Sequence, residues 1–162
     1  MIRSGIGFDA HQLKKGIDLY IGGIKINSDL GSLGHSDGDA LIHALADSLL
    51  GAAGLGDIGQ YFPSENKDWE DAKSEIFLVE VKKILINNGF KISNIDCTVI
   101  LQKPNINPYI KSIQNNISRI LELNEKYVSI KATTTDYLGY IGDSKGWSVI
   151  SIATIIDTNE DC

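Results

Sequence analysis

Apolar residues recur along this chain with two different periods. Residues 2–8 (IRSGIGF) and 19–26 (LYIGGIKI) read as short strands joined by a polar turn around Lys14 to Asp18. Leu41, Leu45 and Leu49 recur every fourth position, which predicts a first helix from about Asp39 to Ala52 that stops at the glycine-rich GLGDIG. Phe77, Leu78, Val81, Ile84 and Leu85 line one side of a second helix over 73–87, with Asn88-Gly89 as its C-terminal stop. The period then becomes two: Ile95, Cys97, Val99 and Leu101 alternate through ISNIDCTVILQ as a strand. Ile110, Ile113, Ile117, Ile120 and Leu121 form the narrow stripe of a third helix. Val128, Ile130 and Ala132 alternate in the next strand, and WSVISIATII closes the series.

That last strand is apolar on both faces, with Val149, Ala153 and Ile155 on one and Ile150, Ile152 and Ile156 on the other. Three helices can cover one face; the other needs cover from neighbouring subunits. The predicted fold is α/β (α+β): a mixed four-stranded sheet with helices on one face, a small N-terminal hairpin, and the opposite face in an oligomer.

Composition narrows the class. A chain of 162 residues with 43% hydrophobic content builds one substantial core, so 1–157 is expected to be a single domain, with 158–162 as a frayed polar tail. The net charge of -6 argues against a nucleic-acid partner. No apolar run approaches the ~20 residues of a membrane span, and the start MIRSGIGFDAH lacks the succession of a signal peptide. Two cysteines make no disulfide framework, and the expectation is a cytoplasmic protein of bacterial type, although a processed plastid-type form would look the same.

Chemistry concentrates in HSDGDALIH, residues 35–43. Ser36 suits an N-cap with Asp39 as the acid of a capping box, which would start the helix near Asp37-Gly38. His43 then lies one turn from Asp39 and one turn from Asp47, on a stripe opposite Leu41 and Leu45, where flanking carboxylates would support a metal-bound imidazole. A helical histidine with acidic neighbours is more often a solvated surface residue. The N-terminal FDAH changes that balance, because Asp9 and His11 are two apart and share one face of a strand. With His43 they make an Asp/His/His set, and three ligands with a fourth position open describe a catalytic zinc. His35 precedes the helix and could meet a phosphate at its N-terminus, or be an ordinary loop histidine. Thr133, Thr134, Thr135 and Asp136 in KATTTD could receive a phosphate chain and a divalent cation, or be a solvated strand end. GDIG at 56–59 and LQKPNIN at 101–107 offer backbone groups to a ligand, although turn chemistry alone accounts for both.

The segments FDAH, HSDGDALIHALADSLLGAAGLGDIG, YFP and IKATTTDYLGYIG, in that order, closely resemble the 2-C-methyl-D-erythritol 2,4-cyclodiphosphate synthase family of the non-mevalonate isoprenoid pathway, over about residues 2–156. The resemblance implies a homotrimer with active sites at subunit interfaces that converts a small cytidine diphosphate substrate, 4-diphosphocytidyl-2-C-methyl-D-erythritol 2-phosphate, to the cyclic diphosphate and CMP. It implies one zinc per subunit on Asp9, His11 and His43, and magnesium or manganese with the substrate diphosphate near Asp136. It implies that His35 and Thr134 stabilise the transition state, and that His35 and Ser36 contact phosphates beside Asp9 and His11. Asp57, Ile58, Gly59, Phe62, Pro63, Ser64, Glu65 and Asn66 match the methylerythritol contacts. Leu101, Pro104, Asn105, Ile106 and Asn107 match the cytosine pocket; Thr133, Thr134, Thr135 and Asp136 match the diphosphate and second-metal site, and Tyr140 falls at a further substrate-binding position. The chain departs from the family pattern at Asp136 (glutamate is usual), at Tyr140 (phenylalanine), and at Asp143 and Lys145 (arginine and glutamate). An oppositely charged pair in reversed order is expected there, with any phosphate site on the trimer axis weakened. A zinc-dependent phosphohydrolase and a non-catalytic trimeric nucleotide binder are the two rival readings.

Overall fold

Strand β1 (Ile2–Lys15) sends Ile2, Ser4, Ile6 and Phe8 to one side and Arg3, Gly5, Gly7, Asp9 and His11 to the other. The computed structural model describes residues 1–34, 36–63 and 72–159. In it β1 pairs antiparallel with β7 (Gly146–Asp157), from Ile2 opposite Ile156 to Gln12 opposite Gly146. The far end of β1 also pairs with a short edge strand, β4 (Leu30–Leu33). On its other edge β7 pairs antiparallel with β5 (Phe90–Ile100), which pairs in parallel with β6 (Val128–Thr133). The sheet order is β4-β1-β7-β5-β6. The four long strands of the mixed sheet are those that the alternation predicts, and β4 is an addition at the edge.

Residues 19–26 are not one strand but a tight hairpin of β2 (Leu19–Ile21) and β3 (Ile24–Ile26). Gly22 and Gly23 turn the chain with φ of 59° and 78°, a conformation that costs other residues dearly. Three long helices, α1 (Ala40–Ala53), α3 (Ser74–Asn87) and α4 (Ile110–Leu121), cover one face of the sheet, with single turns α2 (Ile58–Tyr61) and α5 (Gly139–Gly142) at its end. The core joins Leu41, Leu45 and Leu49 of α1 to Val149, Ala153 and Ile155 of β7 and to Leu78, Val81, Ile113 and Ile117. Among the described residues no helix is long and apolar enough to cross a membrane.

The closest packing in the core is backbone on backbone. A Cβ on Gly7 would overlap the carbonyl of Ala44, and one on Gly5 the carbonyl of Ser48 and the nitrogen of Ala52, so α1 rests directly on a glycine notch in β1. Beneath it Cys97 Sγ donates to Ser151 Oγ (3.3 Å), whose hydroxyl donates to Ser48 Oγ (3.0 Å), which donates to Leu45 O (2.8 Å). Burial pushes the Cys97 thiol up to about 12, and it stays a neutral donor. Gly7→Val should therefore lift α1 from β1 at a cost of about 3 kcal/mol, read as a lower midpoint in urea unfolding.

On the face away from the helices, Phe8 lies across from Ile150, Ile6 from Ile152 and Ile2 from Ile156, and all six side chains are exposed in the isolated chain. After β7, Thr158 N donates to Gly89 O (2.8 Å) and Asn159 Nδ2 to Asn88 O (3.0 Å). Residues 160–162 of the expected tail lie outside the described residues.

Candidate active site

The turn into α1 is built on a buried carboxylate. Asp39 is itself the N-cap, displacing the cap expected at Ser36 and moving the helix start to Ala40. Its Oδ1 accepts from Leu41 N (3.1 Å), Ile42 N (3.2 Å) and Gly22 N (3.0 Å), and its Oδ2 from Gly23 N (2.7 Å). One side chain thus caps α1 and anchors the β2–β3 turn. Burial, and next the charge of Asp37, raise its pKa, while these N–H donors pull the other way.

So placed, α1 brings His43 against Asp9 and His11. Asp9 Oδ2 lies 2.9 Å from His11 Nε2 and 3.1 Å from His43 Nδ1, and the two ring nitrogens are 3.4 Å apart. One ligand atom from each residue falls within 4.8 Å of the others, with all three half-buried. The Leu33 carbonyl, which can only accept, lies 3.0 Å from His11 Nδ1, so that nitrogen carries a hydrogen and Nε2 is directed to the triad. Two imidazole nitrogens and a carboxylate oxygen facing one point fit a divalent metal.

Without metal the cluster is a proton trap. Burial works to raise the Asp9 pKa, but hydrogen bonds and charge from His11 and His43 hold it well below the usual carboxylate range. Burial works to lower that of His11, and the hydrogen bond and charge of Asp9 outweigh it, so His11 stays protonated to higher pH than an ordinary histidine. A metal needs the bare nitrogen and must expel that proton. Metal affinity should therefore climb as pH rises through and above the ordinary histidine range near ~6.5, and level off beyond it. Competition titrations with a chromogenic chelator at several pH values check this.

The carboxylates expected to flank His43 serve other groups: Asp39 the cap, and Asp47 Oδ1 the backbone N–H of Ile58 (2.8 Å). His43 Nε2 instead meets the hydroxyls of Ser36 (3.3 Å) and Ser74 (3.2 Å), and Ser74 is a residue that sequence reasoning missed. Phe77 lies tilted beside His43 at 6.1 Å between centroids, with Phe62 against Phe77 at 4.9 Å, so the segment after Asp57, Ile58 and Gly59 walls the same corner. Asp57 caps α2, accepting from Gln60 N (3.1 Å). Pro63 follows, whereas His35, Ser64, Glu65 and Asn66 lie outside the described residues.

The parallel strands β5 and β6 end side by side, which brings Leu101–Asn107 next to Thr133–Asp136. Leu101 N donates to Thr133 O (3.0 Å) and Tyr137 N to Gln102 Oε1 (3.1 Å). Leu101 and Ile106 turn their side chains into the core, so these positions have backbone to offer a ligand, with Pro104 and Asn105 between them. Thr134 Oγ1 accepts from Asp136 N (3.2 Å), and Asp136 and Tyr137 are held at φ of 48° and 66°, strain of the kind that collects at binding turns. Tyr140 is exposed on α5, and Lys145 Nζ pairs with Asp143 Oδ2 at 2.8 Å as a solvated ion pair. Both loops share the sheet end of Asp9 and His11, but β6 is three strands from β1, about 14 Å at ~4.8 Å per strand.

Residues 2–156 match the YgbB family. The 2-C-methyl-D-erythritol 2,4-cyclodiphosphate synthase of Clostridium novyi (strain NT) is 49% identical over 154 residues, 95% of this chain and 98% of that protein. The bifunctional IspDF of Campylobacter jejuni superposes with a TM-score of 0.93 and 37% identity, over 99% of this chain and 44% of the longer one. The IspF–CDP complex of Plasmodium falciparum superposes with a TM-score of 0.85 and 37% identity, over 98% of this chain and 97% of that one.

Proposed function

The chain belongs to the YgbB family, and we propose from that premise that it is a cyclodiphosphate synthase, a phosphorus–oxygen lyase that releases CMP from 4-diphosphocytidyl-2-C-methyl-D-erythritol 2-phosphate. The observation that carries the reading is the convergence of Asp9, His11 and His43, from a strand and a helix, on one point beside the turn of residues 36–39.

The reaction needs no protein nucleophile. An oxygen of the substrate's own 2-phosphate attacks the β-phosphorus, the β-phosphorus bond to the bridging oxygen breaks, and that oxygen leaves on CMP. Catalysis is then mainly positioning, with up to about 7–11 kcal/mol available from holding a flexible chain in line. Main-chain groups of Leu101–Asn107 read the cytosine, Asp57–Gly59 and residues 62–66 hold the methylerythritol, and Thr133–Asp136 receive the diphosphate. Ser36 binds phosphate, and His35 and Thr134 donate hydrogen bonds to oxygens whose charge changes. A zinc on Asp9, His11 and His43, with magnesium or manganese near Asp136, would supply Lewis-acid neutralisation of the phosphate oxygens.

The distance between metal triad and threonine turn supports a homotrimer in which one copy's triad faces its neighbour's Thr133–Asp136, and the row of Ile6, Phe8, Ile150 and Ile152 supplies the face to bury. Phe8→Glu with Ile152→Asp should leave a folded monomer by light scattering and circular dichroism, with little turnover. A free, buried Cys97 and bacterial relatives suit the cytoplasm.

Phosphorus NMR of the protein with substrate, zinc and magnesium tests the function. A cyclic diphosphate appearing with CMP is the expected result. A linear phosphate would assign a hydrolase, and unchanged substrate a binding protein.

A further inference from the structure

Asp136 and Tyr137, neighbours in the turn after β6, hold φ of 48° and 66°, and neither is glycine. A left-handed conformation at two successive residues with side chains persists only where the surroundings impose it. Side-chain burial does not impose it, since Tyr137 and Leu138 are 71% and 73% exposed in the isolated chain. The bonds within the segment are local: Thr134 Oγ1 accepts from Asp136 N at 3.2 Å, Thr135 Oγ1 donates to Leu138 O at 2.7 Å, and Leu138 N donates to Thr135 O at 3.0 Å. They shape the turn and move with it. Gly142 lets α5 back against it, because a Cβ there would fall 2.1 Å from the Tyr137 carbonyl carbon. Among the described residues, one hydrogen bond ties 134–138 to a different loop, from Tyr137 N to Gln102 Oε1 at 3.1 Å. A backbone N–H can only donate, so the oxygen of the Gln102 amide is the end that faces it.

The loop that carries Gln102 has anchors of its own. Leu101 N donates to Thr133 O at 3.0 Å, Leu101 and Ile106 are buried in the core, and Asn105 Oδ1 accepts from Asn107 N at 3.0 Å. This loop keeps its shape without the Gln102 side chain, whereas the turn loses its outside tie. We infer that Gln102 is a positioning residue: its side-chain oxygen pins Tyr137 in the left-handed conformation and so sets where the turn presents Asp136 and the threonine groups to a diphosphate. The inference rests on the reading of 101–107 and 133–136 as base and diphosphate sites. It adds that a side chain of the base loop serves the phosphate side.

Gln102→Met keeps the length of the side chain and removes the amide oxygen. Titration calorimetry of the full chain should show CDP with magnesium bound about tenfold more weakly, the scale of one lost hydrogen bond, and cytidine, which has no phosphate, within about twofold of the parent. Asparagine tolerates the left-handed region better than tyrosine, so in a Tyr137→Asn background the same Gln102→Met change should weaken CDP by no more than about threefold. A residue that merely stabilises the fold would lower the melting temperature in both backgrounds alike, without moving the ratio of the two affinities. Equal weakening of CDP and cytidine, CDP affinity within about twofold of the parent, or an undiminished loss in the Tyr137→Asn background overturns the inference. A parent that binds neither ligand instead overturns the reading of the two loops. Exchange of the Tyr137 amide hydrogen, which needs no ligand and should be faster in Gln102→Met, then decides the hydrogen-bond argument.

Discussion

His43→Ala is expected to reduce formation of the cyclic diphosphate by roughly a thousandfold or more while leaving a folded protein. His43 sits at the first turn of α1, and its ring is one of three groups that face the common point with Asp9 and His11. Removal leaves one imidazole and one carboxylate, already paired with each other at 2.9 Å, which is too few donors to hold a zinc-type centre. Loss of Lewis-acid stabilisation is worth several kcal/mol, and about 4 kcal/mol corresponds to about three powers of ten in rate. The side chain is half-buried at the sheet end rather than in the core, so the structural cost is small beside that. Release of CMP, followed with metal content and circular dichroism, checks it. Near-parental turnover with a normal spectrum would remove the triad from the mechanism.

Asp39→Ala should have the largest effect on stability. Four backbone N–H groups, from Gly22, Gly23, Leu41 and Ile42, end on this carboxylate. Alanine leaves them to be satisfied in a place where water has no room. Charge-assisted bonds contribute about 1.5–3 kcal/mol each, but the four share one group and are not additive. Burial of the charge, which raises its pKa, offsets part of the gain. A net loss of about 4 kcal/mol follows, or roughly 10 °C in melting temperature for a chain of this size. Asparagine should recover little, since its NH2 group would face the Gly23 N–H. Both variants should also weaken metal binding, because the cap fixes the helix end that carries His43. Calorimetry and zinc titration measure the two effects separately.

Much of this was legible along the chain. The periods that mark α1, α3, α4 and the four long strands are carried by isoleucine, leucine and valine in numbers that leave little choice of face. That Asp9 and His11 of FDAH share one face was legible because a strand puts alternate residues on one side. What escaped depended on tertiary placement. β4 is only LGSL and finds its place by pairing with β1. The IGGI centre of 19–26 looked like strand, but two glycines with positive φ fold it back on itself. Asp39 was counted as a helical neighbour of His43, yet with φ of -77° and ψ of 86° it is outside the helix and the one-turn spacing does not apply. Ser74 gave no signal at all: its link to His43 spans 31 positions and exists because Asp37 draws the start of α3 onto the HSDGD turn.

The pairing of β1 with β7 also orders events in time. Ile2 finds its partner at Ile156, so the strand with two of the three candidate metal ligands has one edge open until β7 has been made. Long-range pairings of this kind are slow to form and expose strand edges meanwhile. A chain that stops before Gly146 lacks the central strand between β1 and β5, and with it the partner that holds the strand of Asp9 and His11 in the sheet.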